Sequence, residues 1–72
     1  MSKLPRDLSG QEVVRALRRL GFEVLRQHGS HIRMGKDNLR ITVPDHSQVA
    51  PGTLKSILRQ ARLELDTFLA EL

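Results

Sequence analysis

The 72-residue chain contains no cysteine, tryptophan or tyrosine, and only two phenylalanines. Without cysteine there is no disulfide framework, thiolate zinc site or cysteine nucleophile, so a chain this short must stand on apolar packing. A reducing cytoplasm suits that composition. The scarcity of aromatics removes the base-stacking platform of single-strand-binding sheets, leaving cationic and polar side chains to make any contact with RNA. No apolar run approaches the roughly 20 residues of a membrane span, and the first twenty residues hold no apolar signal segment, which predicts a soluble, non-secreted protein with no membrane partner. Neither a GxxxxGKS/T loop, a GxGxxG run nor a Gly-x-Ser-x-Gly elbow is present. Nucleotide-dependent and serine-hydrolase chemistry therefore have no support.

What is present is charge and a compact pattern of elements. Twelve Lys and Arg against eight Asp and Glu give a formal net charge of +4. That balance suits an anionic partner, nucleic acid or an acidic protein surface, although many small proteins carry such an excess for solubility alone. A chain of this size buries only about 60% of its unfolded surface, so residues 1–72 are read as one domain with one modest core, without a separate cofactor domain or internal repeat. The opening MSK is expected to fray.

Ser9 with Glu12 three residues on forms a capping box, and Gly21 supplies a stop, so LSGQEVVRALRRLGF predicts a helix. Val13, Val14, Leu17 and Leu20 share its apolar face, with Arg15, Arg18 and Arg19 off it. Three strand-like runs follow, FEVLRQ, HIRMG and LRITVP, separated by the turn residues His28-Gly29-Ser30 and Lys36-Asp37-Asn38. Leu39, Ile41 and Val43 alternate with Arg40 and Thr42, and Ile32 and Met34 alternate with His31 and Arg33. One face of an antiparallel meander therefore lies on a core and the other is wet. PDHSQVAPG reads as a loop. GTLKSILRQA reads as a second helix capped at or just before Thr53, with Leu54, Ile57, Leu58 and Ala61 inward and Thr53, Lys55, Ser56, Arg59 and Arg62 outward. Leu65, Phe68, Leu69 and Leu72 predict a short closing helix. The expected class is α+β, in the order α-β-β-β-α plus a C-terminal helix, with the helices on one face of a three-stranded antiparallel sheet. That arrangement resembles the double-stranded-RNA-binding domain, which reads shape and backbone.

Of the three histidines, His31 is the first candidate for proton transfer near neutrality. His31 follows the Gly29-Ser30 turn at the mouth of a strand and is expected to face solvent. Gly29 permits a tight turn and close approach of a substrate, Ser30 offers a hydroxyl, and the local N–H groups could receive a phosphate oxygen. Arg33 and Lys36 would add positive charge beside it, and Lys55 and Arg59 on the second helix could grip a phosphate backbone. His46, after Pro44 and Asp45, is either a second proton-transfer group or a structural hydrogen-bonding residue. A three-histidine metal site lacks completing ligands, since His28 and His31 flank a turn with no cysteine or convincing carboxylate set. No metal or cofactor is expected.

Taken together, GQEVVRALRRLGFEVLRQHGSHIRM, the Pro44-Asp45-His46 segment and PGTLKSILRQA resemble the HicA family of toxin mRNA interferases, also called YcfA-like proteins, over nearly the whole chain. One departure stands at Arg62, where the family commonly has the glycine that breaks the chain before the last helix. The resemblance implies a double-stranded-RNA-binding-domain-like fold, endoribonuclease activity on mRNA, and a HicB-type antitoxin that covers the toxin's active site; alone, the chain is expected to be a monomer. It also implies that the histidine of the Gly-Ser-His motif, here His31, is catalytic. RNA carries its own 2′-hydroxyl nucleophile, so His31 as general base needs no metal, while the general acid could be His46, His31 itself, a lysine or water. A non-catalytic RNA-binding module and a small basic protein-interaction adaptor are the alternative readings.

Overall fold

The computed structural model describes residues 3–72, and the expectation for Met1 and Ser2 lies outside them. Helix α1 spans Gly10–Arg19, strands β1, β2 and β3 span Glu23–His28, His31–Lys36 and Leu39–Pro44, and helices α2 and α3 span Pro51–Gln60 and Leu65–Leu69. The sheet is antiparallel with order β1-β2-β3. This is the α+β class expected.

Helix α1 begins as its sequence predicts. The Ser9 hydroxyl accepts from the Glu12 N–H at 3.1 Å, and the Glu12 carboxylate accepts from the Ser9 N–H at 3.0 Å. It ends in a Schellman turn: the N–H of Phe22 bonds to the Leu17 carbonyl and that of Gly21 to Arg18, with Gly21 at φ +98°. Helix α2 starts earlier than expected. Its N-cap is Ala50, without a side-chain cap, and Pro51 holds the first helical position. Thr53 is therefore inside the first turn, because proline's fixed φ and missing N–H suit a helix start. The same Schellman pattern closes α2, with Leu63 bonded to Leu58 and Arg62 to Arg59.

One core joins the elements. Val13, Val14 and Leu17 from α1, Ile32 and Met34 from β2, Ile41 and Val43 from β3, and Leu54, Ile57 and Leu58 from α2 are buried together with Phe68 of α3. Since Ile32, Met34, Ile41 and Val43 all point toward the helices, the opposite sheet face is open. Leu20, Leu65 and Leu69 are only partly buried, and Leu72, expected in the core, is exposed. Strand β1 departs further from expectation, because Phe22 packs inside before the strand begins while every side chain of Glu23–His28 is exposed. A register shift between Val24 and Arg26 makes Leu25 a bulge residue.

Candidate functional site

The turn that displays His31 is a two-residue hairpin, Gly29-Ser30, closed by the register pair His28 and His31. Gly29 holds φ +60°, which only its loop position demands, for nothing lies within 4 Å of where a Cβ would stand. Positive φ at the first loop residue alone is the pattern of a II′ hairpin, whose twist matches the flanking strands. Space above the turn is open.

Asp45 ties this turn to the rest of the molecule. Its N–H donates to the Ser30 carbonyl at 2.7 Å, and its carboxylate accepts from Gln27 of β1 at 3.1 Å and Gln11 of α1 at 3.0 Å. Gln27 also donates to the Gly29 carbonyl at 3.0 Å. The next residue, His46, uses its backbone carbonyl to accept from the Gly10 N–H at 2.9 Å. A methyl added at Gly10 would overlap the Pro44 carbonyl oxygen. The hairpin, the Pro44–His46 segment and the start of α1 are thus locked together by backbone and side-chain hydrogen bonds between residues far apart in sequence.

On the open sheet face, strand register decides which side chains are neighbours. His31 stands between His28 on β1 and Pro44 on β3, and Arg33 between Arg26 and Thr42. Arg33 donates to the Thr42 hydroxyl at 3.1 Å. Further along, Gly35 is opposite Arg40, and the Leu25 and Arg40 side chains close over it from either side. Arg40 donates to the Asp37 and Leu39 carbonyls at 2.8 and 2.7 Å. The face therefore carries three arginines and two histidines, all exposed. A shallow depression of about 370 Å³, lined in part by Glu23, Leu25, Gly35 and Arg40, lies at the end remote from His31.

The structure brings Gly29, Ser30, His31 and Arg33 together, and places His46 at the same end of the sheet. It does not bring Lys36 to them. Lys36 ends β2 on the helix-facing side, where its ammonium donates to the Leu20 carbonyl at 2.9 Å and lies 5.9 Å from the centre of the Phe22 ring. A cation there satisfies the C-terminal end of α1. Lys55 and Arg59 are exposed on α2, whose buried side faces the sheet, so they stand on the outer surface of the helix layer. Missing from the sequence-level set were His28, Arg26 and Arg40. A two-residue turn could have signalled the His28–His31 pairing; the bulge at Leu25 hid the place of Arg26.

Among the described residues no three His, Asp or Glu side chains group so as to hold a metal ion, and no helix is long and apolar enough to cross a membrane. Fold and site define a small two-layer α+β protein whose uncovered sheet face presents arginine and histidine beside a glycine turn. Residues 10–63 match the family described as HicA toxin of bacterial toxin-antitoxin, and the chain belongs to that family. It is thus a toxin of a toxin-antitoxin pair, with an antitoxin as partner. No curated protein matches the chain.

Proposed function

We propose that this HicA-family toxin is a metal-independent endoribonuclease, a single cytoplasmic domain that cleaves mRNA with His31 and is silenced by a HicB-type antitoxin. The observation that carries this reading is the placement of His31: exposed on the open sheet face, beside an unobstructed glycine turn and one row from the Arg33–Arg26 pair. Like charges directly opposite each other across strands destabilise a sheet. Such a cost in a functional face is consistent with an anion that neutralises it on binding.

In this mechanism a phosphodiester lies across the face with its oxygens on Arg33, Arg26 and the N–H groups of Gly29 and Ser30. The His31 imidazole takes the proton of the 2′-hydroxyl, the 2′-oxygen attacks phosphorus, and the bond to the 5′-oxygen breaks. A 2′,3′-cyclic phosphate and a 5′-hydroxyl end result. The leaving oxygen must also gain a proton, and the sequence leaves its source open among His46, His31 itself, a lysine and water. Lys55 and Arg59, outside this path, contribute long-range attraction to RNA or to an acidic antitoxin surface.

His31→Ala decides the matter. The variant is expected to fold, to keep its RNA affinity and antitoxin binding, and to lose about 10²–10⁴ in cleavage rate, the usual contribution of a general base. Cleavage by wild type should persist in EDTA and fail on RNA bearing a 2′-deoxy nucleotide at the scissile position. Undiminished cleavage by His31→Ala, or cleavage of the 2′-deoxy substrate, would overturn the assignment. Gel shift without cleavage by the wild type would point to a binding module instead.

A further inference from the structure

We infer that His28 is the general acid that protonates the leaving 5′-oxygen, forming with His31 a cross-strand pair of opposed proton-transfer groups. The inference rests on the ribonuclease reading and adds to it the missing half of the chemistry. His28 and His31 are register partners on the two sides of the Gly29-Ser30 turn. Residues directly opposite on antiparallel strands point to the same face with Cβ atoms about 4.5–5.5 Å apart. Both are exposed. The flanking residues fix the side: Gln27 reaches Asp45, which also bonds to Gln11 of α1, so Gln27 lies toward the helices and His28 lies on the open face.

Transfer through a 2′-hydroxyl is an in-line displacement, in which the attacking and leaving oxygens occupy opposite sides of phosphorus. The base and the acid must each come within about 2.6–3.2 Å of their own oxygen. A single imidazole cannot attend both oxygens at once. Two imidazoles rising side by side, with room to splay over an open turn, can straddle one phosphate. His31 removes the proton from the 2′-hydroxyl; His28, as imidazolium, delivers its proton to the 5′-oxygen as the phosphorus–oxygen bond breaks. One proton enters the pair and one leaves it, and solvent resets both rings.

His46 is the competing candidate, and its backbone argues against it. Past Pro44 the chain turns from the sheet into the helix layer, where Asp45 bonds to α1 and the His46 carbonyl accepts from Gly10. His46 has no register partner in β2, whereas His28 has His31 itself.

Leaving-group substitution tests the assignment. The wild-type cleavage site is first mapped on one RNA, and the same RNA is then made with sulfur in place of the bridging 5′-oxygen at that linkage. A thiolate leaves without a proton, so loss of the acid no longer matters. His28→Gln and His28→Asn, both expected to melt like wild type, should cut the oxygen substrate about 100-fold or more slowly and the sulfur substrate within a few-fold of wild type, while His31→Ala fails on both. Equal losses of the His28 variants on the two substrates would overturn the inference, as for a residue that only binds phosphate. Unchanged cleavage of the oxygen substrate, or rescue by sulfur in His46→Gln and not in the His28 variants, would overturn it too. If wild type cuts neither substrate, the ribonuclease reading itself fails and the pair with it.

Discussion

Arg62 holds φ +57° just past the end of α2, at the position of the Schellman turn that α1 fills with Gly21. A left-handed conformation costs a residue with a Cβ about 1–2 kcal/mol, and glycine escapes most of it. The departure from the family pattern is thus a local strain that the rest of the fold outweighs. Arg62→Gly should raise stability by about 1 kcal/mol, read as a higher midpoint in thermal or urea melting. Gly10 presents the opposite case, since its φ is ordinary and its need is space: the Pro44 carbonyl already occupies the place of a side chain. Gly10→Ala should cost about 1–3 kcal/mol, the range for forcing atoms into a packed site. If the two substitutions shift the melting midpoint in the same direction, one of these readings is wrong.

At the scale of elements, α1 is held by its ends. The Glu12 carboxyl is kept below the usual glutamate range, chiefly by the Ser9 N–H, then by the Ser9 hydroxyl, with desolvation opposing and Arg15 adding attraction. Because the folded value is depressed, the cap's electrostatic contribution is complete above the ordinary glutamate value and is lost as pH falls through the lower folded value. Glutamine at this position can still accept the Ser9 hydrogen bond but carries no charge. Wild type should therefore melt above Glu12→Gln at neutral pH, and the gap should narrow in acid; a constant gap would remove the charge from the account. The other end of α1 meets the far end of β2 through the Lys36 ammonium on the Leu20 carbonyl. That contact turns a residue with the look of a phosphate ligand into a helix cap.

At the scale of the whole molecule, two layers sort the positive charge. Arg26, Arg33 and Arg40 share the open sheet face with His28 and His31, whereas Lys55 and Arg59 face outward from the helix layer. Net charge alone treats these groups alike. RNA on the open face would neutralise the first set by contact, and the dependence of log affinity on log salt changes by about 0.7 per phosphate contact for a single strand. Measured by titration over a range of salt, Arg26→Gln with Arg33→Gln should flatten that slope by about 1.4, on the same relation. Lys55→Gln with Arg59→Gln should lower affinity slightly and flatten the slope by much less than that, since their attraction is long-range and screened. Equal flattening by both pairs would place RNA elsewhere.

Nearest-neighbour chemistry made part of this protein readable without coordinates. The capping box at Ser9 and Glu12, the stop at Gly21 and the alternation of Ile32 and Met34 with His31 and Arg33 each arise within a few residues, where backbone hydrogen bonding and side-chain direction act locally. Pro51 as the first residue of α2 was written there too, although the adjoining glycine and prolines have the look of a loop. Only the tertiary structure decided that Lys36 serves α1, that Leu25 bulges and aligns Arg26 with Arg33, that β1 lies exposed, and that Asp45 and Gly10 lock the histidine turn to a helix. Those outcomes depend on strand register and on contacts between residues many positions apart, which no single stretch of chain encodes by itself.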